Sequence, residues 1–352
     1  MELSPRKKQI LAAIVKTYIE TGEPVGSKAL SQVLDLGLSP ATLRNEMSEL
    51  SELGYLEQPH TSAGRVPTSA GYRLYIQELM KPAEPDEKTK AAIDDALENS
   101  VSDPEQMVST AGQALADLTG LPALSATVAN ETAAVRRVEV IPMGRRSLLL
   151  VLITSDGVAR SRLCRTERPL TTGLLERFTR LTAKEVEGKE LSAFQPALLQ
   201  TLVAEAGEYG FALMPLLAAL FHMADEICAS KLSLKGESNL FSFSELEKEA
   251  RQLIDLISRR DAILSLLAGI HGPVEVVFGG DTPIAALRPS SLVVARYKLG
   301  DKELGRIGVI GPTRMAYEQL IPSIEYFAAK LGSLLTQAME DMEDDEFGRD
   351  GE

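Results

Sequence analysis

Twice within the first forty residues a serine stands directly before a proline, at Ser4-Pro5 and at Ser39-Pro40, and each pair opens a stretch whose apolar residues recur every three or four positions. A capping serine accepts a backbone N–H that the first helical turn leaves unpaired, and a proline at the next position has no N–H to lose. After Pro5, Ile10, Leu11, Ile14, Val15, Tyr18 and Ile19 form an apolar stripe, Arg6, Lys7, Lys8 and Lys16 lie outside it, and Thr21-Gly22 ends the helix. A short segment from Ser27, with Leu30, Val33 and Leu34 and a stop near Gly37, predicts a second helix. After Pro40, Leu43, Met47 and Leu50 share one face with Leu53 at its edge, which leaves Ala41, Arg44, Asn45 and Ser48 on the other. Two short helices with a tight turn, the second polar in front and apolar behind, describe a helix-turn-helix.

The segment after this helix narrows the reading. Tyr55 to Gln58 is a short strand candidate and Arg65-Val66 another, and "PHTSAG" between them supplies the proline, serine and glycine of a turn. Three helices and a small hairpin make a winged helix. His60 and Ser62 also suggest a base and its nucleophile, but a serine hydrolase needs a G-x-S-x-G elbow, a third residue to orient the histidine and an oxyanion hole, and "HTSAG" supplies none of them. No enzyme is expected. As a DNA-binding module, the segment offers Arg44 and Asn45 to read base edges bidentately, with Ala41 allowing close approach and Thr42 and Ser48 assisting. Lys28, His60, Thr61, Ser62 and Arg65 are the candidates for phosphate oxygens. Thr68 caps a further helix carrying Leu74, Ile76 and Leu79, and "KPAEPDEK" then reads as a linker.

Charge is divided to match. The first 77 residues carry eight Lys/Arg and eight Asp/Glu, so the net charge of −13 belongs to the remainder, and "EDMEDDEFGRDGE" is its acidic extreme. No run of 18 apolar residues occurs, so no membrane span is expected, and the amphipathic start does not read as a secretory signal. Cys164 and Cys228 lack the spacing of a disulfide framework or a zinc site, which makes a reducing cytoplasm the simplest location. No P-loop, dinucleotide fingerprint or metal cluster is visible, so no cofactor is expected.

Residues 88–120 read as helical, with a stop at Gly120. Strand-like stretches come next at "SATVA", "VRRVEVI", "SLLLVLIT" and "VARSRLC", which fit one antiparallel meander. Leu170 to Cys228 is mostly helical, and the apolar stretch 211–227 is core or a subunit interface. "SFSELEKEARQLIDLISRRDAILSLL" predicts one helix; "PVEVVFG", "SLVVARYKL" and "GRIGVIG" predict strands. A long helix from Thr313, as cap, to about Met339 closes the pattern, with Pro322 as a kink or restart. "VFGGD" at 277–281 reads as a bland turn, and His222 and His271 as packing or turn residues. The class is α+β.

The stretches "YIETGEPVGSKAL", "SPATLRNEMSEL", "GYLEQPHTSAGRVPTSAGYRLYIQELM" and "GRIGVIGPTRMAYEQL" resemble the heat-inducible transcription repressor HrcA family. A generic winged helix would share the periodicity but not "PHTSAGR" or "GPTRM". The resemblance implies an α+β multidomain chain: an N-terminal winged helix-turn-helix at 1–80, a linker at 81–88, and a GAF-like α/β domain at 89–339. It also implies an inserted, largely helical dimerising segment at about 165–235, and leaves 340–352 as an acidic tail expected to be disordered. Its implied function is repression of chaperonin operons by a cytoplasmic homodimer bound to double-stranded DNA at an inverted repeat called CIRCE, released on heat stress, with the chaperonin GroEL as partner. A ligand-gated regulator with a small-molecule pocket in the GAF-like domain is the alternative.

Overall fold

In the computed structural model both serine caps form: Ser4 Oγ accepts the Lys7 N–H at 3.3 Å and Ser39 Oγ accepts the Thr42 N–H at 3.1 Å. The structure describes residues 3–34, 37–60, 63–98, 104–127, 132–155, 157–167, 169, 171–243, 246, 250–300 and 302–347. The chain forms two units, Met1–Ser125 with Leu232–Leu334, and Ala126–Lys231 with Leu335–Glu352, so the second interrupts the first in sequence.

The first unit begins with α1 (Pro5–Thr21), α2 (Ser27–Val33) and α3 (Pro40–Glu52). Ile10, Leu11, Ile14 and Val15 of α1, Leu30 of α2, and Leu43, Met47 and Leu50 of α3 are buried. Val33, expected among the apolar positions, is 62% exposed. The helix stops there and Leu34 turns to extended backbone, so the stripe cannot continue. Strands β1 (Leu56–Glu57) and β2 (Val66–Pro67) pair antiparallel, and Val25 adds a third rung by exchanging both backbone hydrogen bonds with Arg65 at 2.9 Å. A β-carbon on Gly64 would lie 2.4 Å from the Val25 carbonyl, so only glycine permits this approach. This is the winged-helix arrangement the spacing predicts.

Helix α4 (Ser69–Leu74) is capped by Thr68, as expected, and continues as a π-helical turn over Tyr75–Leu79. Its buried side chains are Tyr72 and, in the π-helical turn, Tyr75, whereas Leu74, Ile76 and Leu79 are only partly covered. After the linker come α5 (Glu87–Glu98), α6 (Pro104–Thr119) and β3 (Ala123–Thr127). Beyond the interruption the unit resumes with β7 (Leu232–Lys235), α10 (Ala250–Ser258), α11 (Arg260–Ala268), β8 (Val274–Phe278), β9 (Ser290–Leu299), β10 (Lys302–Pro312) and α12 (Tyr317–Phe347).

These strands build a five-stranded sheet in the order β7-β3-β10-β9-β8, with β9 antiparallel to both β8 and β10. The described part of the strand expected at "SATVA", up to Thr127, therefore joins this sheet and not the meander, and 128–129 lie outside the described residues. Of the single helix expected over 242–267, the described residues from 250 on form two, because Arg259 leaves the helical region at φ −86°, ψ 79°; 244–245 and 247–249 lie outside the described residues. The last helix starts at Tyr317, not Thr313. The Thr313 N–H and hydroxyl both donate to Pro289 O, each at 3.3 Å, which ties this stretch to the residue before β9 and leaves the helix to begin at Tyr317.

The second unit holds β4 (Val135–Pro142), β5 (Ser147–Thr154) and β6 (Ala159–Arg165) as an antiparallel meander, followed by α7 (Thr172–Glu185), α8 (Pro196–Ala206) and α9 (Gly210–Cys228). Leu148, Leu150 and Leu152 alternate into a core completed by Phe178, Leu181, Leu202, Leu213, Leu216 and Leu220. By length and composition alone, residues 196–228 are apolar enough to cross a membrane, although they hold no unbroken run of 18 apolar residues. A turn at Gly207–Tyr209 divides them into α8 and α9, and their leucines line this core.

Candidate nucleic-acid interface

The front of α3 follows from its back. With Leu43, Met47 and Leu50 anchored inside, a rotation of about 100° per residue forces Ala41, Arg44 and Asn45 outward, and all three are exposed. Thr42 and Ser48 are half-buried at the margins of that face. Thr42 is also committed to the cap: its hydroxyl lies 2.9 Å from Ser39 Oγ. Lys28 and His60 are exposed. The His60 carbonyl accepts the Ala63 N–H at 2.9 Å, which closes the wing turn, and Thr61 and Ser62 lie outside the described residues.

Arg65 has a structural task beside the proposed one. Its Nε donates to Ser51 Oγ at 3.0 Å, and Ser51 Oγ donates to Met47 O at 3.0 Å, so the guanidinium ties the returning arm of the wing to the carboxyl end of α3. A cation is favoured there by the helix dipole.

The residues that sequence reasoning missed lie behind the recognition face. Glu46 and Glu49 put negative charge on α3, which would repel phosphates. Lys7 of α1 bridges them, with Nζ 3.0 Å from Glu46 and 2.7 Å from Glu49, and Arg6 Nη1 approaches Glu46 at 3.6 Å. Hydrogen bonding to Glu49 first, and then to Glu46, raises the Lys7 pKa. The signal was available in the sequence: Arg6 and Lys7 leave the apolar stripe of α1, and Glu46 and Glu49 sit one turn apart on α3.

Among the described residues no three His, Cys, Asp or Glu side chains gather as a metal ion requires. On the second unit Arg162 pairs with Glu226 at 2.6 Å, and the exposed His222 places Nδ1 3.2 Å from the same carboxylate.

Comparison with known proteins agrees with this geometry. Residues 2–80 match the family model described as the winged helix-turn-helix transcription repressor, HrcA DNA-binding, and residues 105–321 match that of the HrcA protein C-terminal domain. Similar curated relatives include the heat-inducible transcription repressor HrcA of Acetivibrio thermocellus, 30% identical over 94% of this chain and 96% of the relative. That of Desulforudis audaxviator is 33% identical over 95% of this chain and 98% of the relative. A crystal structure described as that of a hypothetical protein aligns over 96% of this chain and 100% of its own, with 25% identity and a TM-score of 0.65. With a three-helix head and wing matching one model, the region beyond matching the other, and relatives aligned over nearly the whole length, the chain belongs to the HrcA family.

Proposed function

We propose that this chain is a transcriptional repressor that binds an inverted-repeat operator as a homodimer and is not an enzyme. The observation that carries the reading is the outward pair Arg44 and Asn45 on a helix anchored by Leu43, Met47 and Leu50, beside a hairpin wing. Each subunit places one α3 in the major groove. Arg44 and Asn45 read base edges, Ala41 permits approach, and Thr42 and Ser48 assist. Lys28, His60, Thr61, Ser62 and Arg65 contact phosphates.

The names of the relatives support control by heat, and the family supports a CIRCE-type operator before chaperonin genes, GroEL as partner, a GAF-like second region and a cytoplasmic location. A repressor of marginal stability needs no separate thermal sensor, since losing about 1 kcal/mol already shifts the active population several-fold. Dimerisation has a candidate surface in the second unit, where Phe211 is 89% exposed. The ligand-gated alternative draws on one observation, an open cavity of about 640 Å³ beside α5, α6 and the start of α12.

An electrophoretic shift with an inverted-repeat chaperonin promoter tests the reading. Retardation that a scrambled competitor does not relieve, and that weakens steeply with salt, supports it; equal displacement by both DNAs refutes it.

A further inference from the structure

The motif "GPTRM" and the turn "VFGGD" are far from the winged helix in sequence, yet both touch it within the first unit. Gly22 closes α1 in the left-handed region at φ 71°, and α1 has no basic residue in its last turn. Arg314 takes that place: a β-carbon on Gly22 would fall 3.2 Å from Arg314 Nε and 3.3 Å from its Cζ, so the guanidinium lies against the carboxyl end of α1, where the helix dipole favours a cation. Beside it, Tyr72 of the head packs on Phe278 and Tyr317, with ring centroids 5.8 and 5.9 Å away. Tyr317 is itself fixed, with its hydroxyl 2.7 Å from both Thr313 O and Ser291 Oγ. Arg73 pairs with Asp281 at the edge of the same contact.

Next to Tyr317, Glu318 contacts the head and the linker at once. Its Oε1 accepts the Tyr75 hydroxyl at 2.6 Å, and its Oε2 is 3.9 Å from Lys16 Nζ. Its backbone carbonyl has no helical partner, because the residue four positions on is Pro322, which has no N–H. The Ala83 N–H of the linker fills that vacancy at 2.8 Å. A proline inside α12 thus creates the acceptor that holds the chain leaving the winged helix.

We propose that Arg314, Tyr317, Glu318 and Pro322 are positioning residues forming a clamp that fixes the direction in which α3 is presented, and so sets the half-site spacing the repressor accepts. The clamp touches no DNA. This rests on the reading as a dimeric DNA-binding repressor. Two heads held rigidly meet two half-sites at a high effective concentration only when the spacing fits, whereas two loose heads accept many spacings at lower affinity.

The experiment uses the full chain with Arg314→Gln, Arg314→Lys and Pro322→Ala. Pro322→Ala removes a helix interruption, so folding is not endangered, and gives Glu318 O a competing N–H within α12. Hydrogen exchange without DNA reads the clamp directly: Ala83 should exchange on the order of tenfold faster in Arg314→Gln and Pro322→Ala, while amides of α3 stay unchanged. Fluorescence anisotropy then compares inverted repeats differing in spacer by half a helical turn with a single half-site. Arg314→Gln should lose on the order of tenfold in affinity for the preferred spacer and much of its spacer discrimination, keep its half-site affinity, and be rescued in part by Arg314→Lys. Unchanged Ala83 exchange, unchanged spacer discrimination, or an equal loss on half-site and full operator overturns the proposal. A wild-type chain that ignores inverted-repeat DNA while exchange responds as expected fails the repressor reading and not the clamp.

Discussion

Ala83 and Pro322 are coupled through one carbonyl. Pro322 cannot donate to Glu318 O, and the Ala83 N–H occupies that acceptor at 2.8 Å. The linker expected at 81–88 as a composition-defined spacer is therefore anchored at a defined point on α12, and the winged helix belongs to the same unit as the five-stranded sheet.

Arg44→Ala and Asn45→Ala should each weaken operator binding by about 1–3 kcal/mol, the value of a bidentate base contact. Both side chains are exposed, so thermal stability should stay within about 0.5 kcal/mol. Anisotropy titration beside a melting curve separates the two effects, and operator affinity that survives both changes removes α3 as the reading helix.

The two buried tyrosines of the α4 segment should respond oppositely to loss of the hydroxyl. Tyr72 OH is buried with no hydrogen-bond partner among the described residues, so Tyr72→Phe should be neutral or stabilising. Tyr75 OH donates to Glu318, so Tyr75→Phe should cost about 1 kcal/mol. Tyr72→Ala, which empties the ring site against Phe278 and Tyr317, should cost about 3–5 kcal/mol. Urea titration of the three variants measures this order.

Gly22→Val meets two obstacles, a left-handed backbone and the Arg314 guanidinium 3.2 Å from the new β-carbon. The backbone alone costs about 1–2 kcal/mol. Calorimetry should show a lowered melting temperature, and Gly22→Val combined with Arg314→Ala should recover only the steric part.

Alkaline pH should destabilise the fold. Burial raises the pKa of Tyr72, Tyr75, Tyr297 and Tyr317 above the ordinary phenol value of about 10. Hydrogen bonding to Glu318 adds to the shift at Tyr75, while Ser291 opposes it at Tyr317. Each native phenol holds its proton more tightly than the unfolded one, so this stabilisation is complete below pH about 10. It drains away as pH rises from there toward the raised native values. Melting temperatures taken across that window should fall, and these four phenols should ionise together with unfolding, not before it.

Phe211→Asp tests the proposed dimer surface. Phe211 is 89% exposed, so the change should leave monomer stability within about 0.5 kcal/mol while raising the dimer dissociation constant by at least about tenfold. Sedimentation equilibrium reads the outcome, and an unchanged association constant excludes this face.

Much of the head was legible because its determinants are local. Ser4, Ser39 and Thr68 bond to amides three residues on, and the stripe Leu43, Met47, Leu50 needs only helical periodicity to declare its inward face. Arg44 and Asn45 follow by subtraction. Val33, Thr313 and Arg259 were misjudged where a local pattern meets a distant contact or simply runs out; Thr313 has the chemistry of a cap, but its N–H and hydroxyl tie it to Pro289 O and the helix starts later. Nothing local in the strand at 123–127 names its sheet, and its place among the five strands depends on partners more than a hundred residues later. Tyr72 and Tyr75 were passed over for Leu74, Ile76 and Leu79 because an amphipathic ring reads as a boundary residue until its partner is known.

The amino-acid order alone settles where helices start, which face of each turns inward and that a basic and amide pair is left facing water, since these depend on bonds spanning three or four residues. Tertiary folding decides which strands become neighbours, that Arg6 and Lys7 face Glu46 and Glu49, and that Arg314 and Glu318 contact the head. Those contacts join groups brought close only after chain-closure entropy has been overcome by burial of the core, so a local stretch can display the charges but not their pairing.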